Sequence, residues 1–220
     1  MVLQNSDFNA FVPPEYFFLL EADCYKWDGK WNSQKELPQF CKLLQNEPDP
    51  FATVSMAWSQ SGEEKSKGGG LYFFVDVEQP NPEVAFPDVH KGDAIEFFID
   101  TKNLKQARTT HRFCHHFYFL PERIEGVMAR EITRFRTEDI HPHCSSDELE
   151  VKIVRKKKSY TAEIFIPEKC LVGFQPEKGS SIGFTYRINR TNEKAQHFVL
   201  SSSYCQIDQY PYLWSTVTFT

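Results

Sequence analysis

The sequence predicts an all-β fold: an antiparallel β-sandwich with one or two short helices, to which the family resemblance described below adds a jelly-roll-like form. Three observations carry this expectation. Apolar residues recur at every second position in segment after segment beyond residue 53, turn-forming residues separate those segments, and helical spacing is scarce. A chain of 220 residues is long enough for one large all-β domain, and residues 1–220 are read as a single sandwich in which 1–52 form an N-terminal strand and loop extension.

The first element beyond that strand is the helix candidate Ser33 to Leu44, where Ser33 is placed to cap and Glu36 follows three residues later, although Pro38 falls inside it. Val54, Met56 and Trp58 then alternate with small or polar residues, as do Leu71, Phe73, Val75 and Val77, and again Ile95, Phe97 and Ile99. Leu149, Val151 and Ile153 lead through the basic tip Arg155 to Lys158 into Tyr160, Ala162, Ile164 and Ile166, which reads as a hairpin. Ile182, Phe184, Tyr186 and Ile188 form another strand, His197 to Ser201 a shorter one, and Val217 with Phe219 a last one. Turn residues stand between them at Ser61-Gly62, Gly68-Gly69-Gly70, Pro80-Asn81-Pro82, Lys91-Gly92-Asp93 and Gly179-Ser180. The polar stretch from Glu63 to Gly70 reads as a mobile hairpin loop between neighbouring strands. The residues expected between the sheets are Leu71, Phe73, Val75, Ile95, Phe97, Ile99, Ile164, Phe184 and Tyr186.

Composition narrows the function classes. Aromatic residues make up 15% of the chain, which argues for a packed core rather than disorder. A net charge of −5 argues against a broad surface for DNA, RNA or anionic lipid, so neither nucleic acid nor membrane is an expected partner. Residues 1–20 carry no Lys or Arg, and the apolar run from Tyr16 to Leu20 is short for a secretory signal. Nothing elsewhere approaches the run of about 20 apolar residues that spans a bilayer, and a cytoplasmic location is the resulting expectation. Cys24, Cys41, Cys114, Cys144, Cys170 and Cys205 stand singly without a CxxC pair, so free thiols are expected.

Three motifs carry a family resemblance. Ala57-Trp58 is followed after a loop by Leu71-Tyr72-Phe73-Phe74-Val75-Asp76-Val77; Gly92-Asp93 turns into the strand Ala94-Ile95-Glu96-Phe97-Phe98-Ile99-Asp100; and the remainder holds Ala162 to Pro167, Gly183 to Asn189 and Pro211 to Phe219. In this order, spanning residues 57–219, they resemble the carbohydrate-binding module family 9 group and its DOMON-like relatives. The resemblance implies a jelly-roll-type sandwich that binds a carbohydrate, with sugar held between tryptophans among polar groups and calcium supporting loops. The chain departs from the family at Val199 to Ser203, where a binding tryptophan is expected, and at Arg190, where relatives often carry an aspartate.

Read residue by residue, the chemistry falls into three groups. A flat aromatic face matches the C–H face of a pyranose. Trp58 is committed to the core by its phase and Trp214 is ambiguous, whereas Trp27 and Trp31 lie in a polar stretch and are the candidate platform, with Arg187 and Asn189 as hydrogen-bonding partners. The alternative for these tryptophans is a packed cluster closing one end of the sandwich. The histidine group His111, His115, His116, His141 and His143, with Cys114 and Cys144, has the composition of a zinc site but no established spacing; His116, His141 and His143 are its candidate ligands, in competition with pairing to Glu138 and Asp139. The third group, Arg130, Arg134, Arg136, Arg187 and Arg190, suits either hydroxyl and anion binding or an internal ion-pair network with Glu131, Glu138 and Asp139. No cofactor is predicted from motifs: calcium enters through the resemblance and zinc through the histidines. Catalysis is disfavoured, since no nucleophile motif is present and Glu96 and Asp100 on one strand stand about 13 Å apart, too far for a glycosidase pair; both are expected to cap turns and bind backbone. Three functions stay open: a non-catalytic carbohydrate-binding protein, a metal-binding protein or metal-dependent enzyme using the histidine group, and a protein-interaction scaffold on the same fold.

Overall fold

The computed structural model of the chain describes residues 20–43, 49–63, 67–203 and 205–220. The reading of residues 1–20 as lacking a signal, apart from Leu20, falls outside the described residues, as do Leu44 of the helix candidate and positions 64–66 of the loop. The described residues form eleven strands: β1 (Glu21–Lys26), β2 (Ala52–Ser59), β3 (Gly70–Val77), β4 (Ala94–Asp100), β5 (Cys114–Ile124), β6 (Val127–Glu131), β7 (Glu150–Arg155), β8 (Tyr160–Pro167), β9 (Ser181–Asn189), β10 (Gln196–His197) and β11 (Ser215–Phe219). Hydrogen bonding runs in the order β6-β5-β4-β9-β11-β1-β2-β3-β8-β7, with β10 on the edge of β9. The two layers of the sandwich are therefore one continuous sheet folded at β1. The first part of β1 pairs with β11 (Glu21↔Thr216 to Cys24↔Phe219), then Tyr25 and Lys26 pair with Ala57 and Trp58 of β2. Both β1 pairings are parallel, a departure from the all-antiparallel expectation.

Alternation decides what lies between the layers. All nine residues expected there are buried, and Phe73 of β3 stacks on Phe97 of β4 across the interface at 4.2 Å between ring centroids. Trp58 and Trp214 join this core. The side chains one position out of phase, such as Tyr72 and Phe165 on one layer and Glu96 and Arg187 on the other, stand on the outer faces.

Among the described residues, helical structure is limited to 3₁₀ turns. The 33–44 segment breaks into Ser33–Lys35 and Phe40–Leu43, because Leu37 donates its backbone N–H to Val54 and Pro38 has none to give. Asn32 rather than Ser33 caps the first turn, accepting the Gln34 N–H at 3.1 Å. The strand expected over His197 to Ser201 shrinks to Gln196–His197, since Ser202 folds back to donate its N–H to His197 Nε2. The β5–β6 hairpin does not alternate in sequence: Cys114 to Pro121 are buried on both faces, and its turn is Glu125-Gly126, both at positive φ.

Candidate functional site

The cross-strand register aligns one polar row over the outer face of the β6-β5-β4-β9 layer: His197 opposite Arg187, Arg187 opposite Glu96, Glu96 opposite Tyr118, and Tyr118 opposite Arg130. Glu96 is fully buried at its centre. The guanidinium of Arg187 grips its carboxylate with two hydrogen bonds, Nε to Oε1 and Nη2 to Oε2, each 2.8 Å. Asn189 Nδ2 donates to Oε1 at 2.6 Å, and His116 Nε2 lies 2.8 Å from Oε2. Burial pushes the Glu96 carboxyl up, but hydrogen bonds from His116, His90 and Arg187 outweigh it and hold the group well below the usual carboxylate range. Phe98 forms the floor, stacked on His116 at 4.1 Å and lying 5.7 Å from the Arg187 guanidinium.

The rim of the row is less settled than its centre. His90 Nδ1 lies 2.8 Å from Arg187 Nη2 and 3.2 Å from Glu96 Oε1, so one ring nitrogen faces a donor and an acceptor and can satisfy only one of them. Its side chain is 47% exposed, against 11% for Arg187. At the other end, His197 Nε2 accepts the Ser202 N–H at 3.1 Å, which places the ring proton on Nδ1, and that nitrogen is buried without a hydrogen-bond partner. Tyr118 OH is buried without one as well. Burial, reinforced by Arg187, pushes the His197 imidazole down to about 4.

Trp27 and Trp31 stand elsewhere. They pack on the outer face of the opposite layer with Ala57, Tyr72 and Phe165. Arg187 and Asn189 therefore do not join them, and the two halves of the expected sugar site are separate. Glu96 binds side chains rather than the backbone expected for it, whereas Asp100 does hold a turn, accepting the Lys102 and Leu104 N–H groups.

The histidines are also divided. His116 faces Glu96, while His115, one residue away on β5, points inward to Glu131, and His143 Nε2 donates to the Thr133 carbonyl at 2.9 Å. His116, His141 and His143 are thus not brought together. Glu131, not Glu138 or Asp139, is the buried partner: its Oε1 meets His115 Nδ1 at 2.9 Å, His141 Nε2 at 2.7 Å and Thr133 Oγ1 at 2.8 Å, and its Oε2 accepts the Cys144 N–H at 2.8 Å. His115, Glu131 and His141 approach ligand geometry, as do Asp100, His111 and Cys114. Neither trio fits a cation as it stands. His115 Nε2 accepts the Val172 N–H and His111 Nδ1 accepts the Phe113 N–H, so each ring's other nitrogen carries the proton where a lone pair would be needed. Calcium's demand for six to eight oxygen ligands is met by neither.

Over residues 23–219 the sequence matches the family described as "Carbohydrate family 9 binding domain-like". The chain belongs to this family. No curated protein matches the sequence significantly. Among solved structures, the family 9 carbohydrate binding module from Caldicellulosiruptor kristjanssonii in complex with cellotriose is similar, with 14% identity, a TM-score of 0.63 and coverage of 91% of this chain and 94% of that one. The same organism's module in complex with glucose gives 13% identity, a TM-score of 0.64 and coverage of 91% and 96%. At these identities the likeness concerns the fold, and for this family 9 chain it agrees with the sandwich described above. The row's partners for Arg187 and Asn189 could have been found in the sequence, because Glu96 shares their outward phase; the folding-back of His197 has no short-range signal.

Proposed function

We propose that this family 9 chain is a non-catalytic carbohydrate-binding protein whose sugar meets the polar row centred on Glu96. One observation carries the reading: a fully buried, ionised carboxylate is surrounded by donors from the two strands that flank it, β5 and β9, on a face that an ordinary sandwich would leave to water or cover with apolar side chains. Arginine, asparagine and carboxylate bonded to one another present paired donors and acceptors, the pattern that vicinal hydroxyls require. The unpartnered Nδ1–H of His197 and hydroxyl of Tyr118 supply further groups that a polyhydroxyl ligand would satisfy, and His90 is the half-exposed side chain at the entrance. The row holds one carboxylate, Glu96, kept ionised by its partners, so it lacks the acid and base pair of a glycosidase. The family membership, and the glucose and cellotriose named for the two similar modules, support the same ligand class.

Calorimetry against a panel of neutral mono- and oligosaccharides tests the reading. The wild type should bind at least one member, and His90→Ala and Asn189→Ala should each weaken that binding about tenfold, the equivalent of one lost hydrogen bond to a charged group. Silence across the panel from folded protein overturns it.

A further inference from the structure

Two cysteines that the polar row does not use meet where the sandwich is open. Because the sheet folds at β1, its ends β6 and β7 come together on the other side, and they are in contact there. The segment leaving β6 carries Cys144, whose N–H is anchored on Glu131 Oε2 at 2.8 Å. The 3₁₀ turn Glu168–Cys170, which follows β8 on the opposite layer, carries Cys170. The two thiols are hydrogen-bonded to each other. Cys170 is buried and directs its S–H at Glu148 Oε2, 3.7 Å away, while Lys169 Nζ holds the other oxygen of that carboxylate at 3.0 Å. Cys144 is half-buried, so one member of the pair is reachable from solvent and the other only through it.

We propose that Cys144 and Cys170 form a reversible oxidation site, at which a small-molecule disulfide converts them to an internal disulfide that clasps the two layers on the side away from β1. Thiols already in hydrogen-bond contact are the arrangement from which such a bond closes with the smallest backbone shift. The exchange takes two steps. Cys144 releases its proton to water, and its thiolate attacks one sulfur of the small disulfide; a mixed disulfide forms, and one small thiolate leaves and takes a proton from water. Cys170 then passes its proton to Glu148 Oε2 and attacks Cys144 Sγ, which breaks the mixed bond and expels the second small thiolate, protonated in turn. Two protein thiols are thereby oxidised and one external disulfide is reduced to two thiols. The hydrogen bond with Cys170 and burial push the Cys144 thiol up, so the first step is slow at neutral pH and quickens as pH rises. The new bond also braces the Glu131 cluster from both sides, since the Cys144 N–H is bound to Glu131 and the Val172 N–H, just beyond Cys170, to His115 Nε2 at 3.0 Å. None of this depends on carbohydrate binding, so either reading can fail alone.

The test is to incubate the folded, reduced full chain with oxidised glutathione at mildly alkaline pH, then alkylate and digest it for mass spectrometry. A peptide pair joined through Cys144 and Cys170 should appear, with a mass loss of two hydrogens; glutathione on Cys205, the other partly accessible thiol, adds mass and is read separately. The melting temperature should rise by about 5–10 °C and return after treatment with dithiothreitol. Cys170→Ala should stop at the first step, keeping one glutathione on Cys144 with no such rise. If that variant fails to fold, the wild-type chain carries the test by itself. Absence of the cross-link after prolonged exposure, glutathione retained on Cys144 of the wild type, a cross-link through any other cysteine, or a cross-linked chain that melts no higher would each overturn the proposal.

Discussion

Glu96 and Arg187 face each other across β4 and β9 as a two-bond pair, both bonds 2.8 Å and the carboxylate fully buried. Removing one partner leaves the other charge buried and unpaired, which costs more than the pair is worth. Arg187→Met should lower stability by about 3–5 kcal/mol, and Glu96→Gln with Arg187→Met together should cost less than the sum of the two singles. Denaturant unfolding of the four proteins in a double-mutant cycle checks this; additive losses would mean the pair is not coupled.

Acid should destabilise the chain in two steps. Burial lowers the imidazoles of His115, His116 and His197 below their ordinary value, so between about pH 6.5 and pH 4 the unfolded state binds protons that the folded state refuses, and stability falls as pH falls. Below about pH 4.4 the unfolded carboxylates protonate while Glu96 and Glu131, held low by their hydrogen bonds, stay ionised, and their contribution is lost in turn. His197→Gln should flatten the upper part of the curve, by up to about 3 kcal/mol for a shift to about 4. Melting temperatures from pH 2 to 8 measure both effects.

Glu131 gathers two imidazoles, a hydroxyl and a backbone N–H around one buried carboxylate. Glu131→Ala would leave His115, His141, Thr133 and the Cys144 N–H without it, and should cost at least about 3 kcal/mol. Glu131→Gln keeps the size but presents an amide to the two imidazoles, and should recover only part. Chemical denaturation separates the variants.

Gly70 opens β3 at φ +153, and a Cβ there would stand 2.3 Å from the Ile166 carbonyl oxygen. Gly70→Ala should therefore cost about 2 kcal/mol or more, whereas Gly126→Ala, strained in φ but with open space around it, should cost less. Thermal melts of the two rank them directly.

Denatured, freshly purified protein should titrate six thiols. In the native state, Cys205, partly accessible and pushed up only by burial, should react first; Cys144, though partly accessible, is slowed because its hydrogen bond with Cys170 and burial push its thiol up; and Cys24, buried and pushed well up by burial and by Asp23, should react last. Time-resolved alkylation with mass spectrometry orders them.

The fold was readable where a strand buries one face. Leu71, Phe73 and Val75, or Ile95, Phe97 and Ile99, announce their layer through alternation alone, and all are buried between the layers. It was unreadable where a strand is buried on both, as in β5, and in the pairing of β1, which divides its length between β2 and the distant β11. The site was half readable for a similar reason. Composition singles out Trp27 and Trp31, and phase places Arg187 and Asn189 outward, but which face each set shares depends on layer assignment, a long-range property. His115 and His116 show the same limit: adjacent in sequence, they serve Glu131 and Glu96 on opposite sides of one strand.

The double pairing of β1 also dictates an order of events in folding. Its neighbours are β2, which follows it within the chain, and β11, which arrives only after β2 to β10 have been synthesised. Until then the fold in the sheet lacks one side, and β1 and β9 each keep an open edge able to pair with another chain. Closure therefore waits on a contact between residues nearly 200 positions apart, Cys24 with Phe219, a loop whose entropy must be met before the two layers are joined through β1.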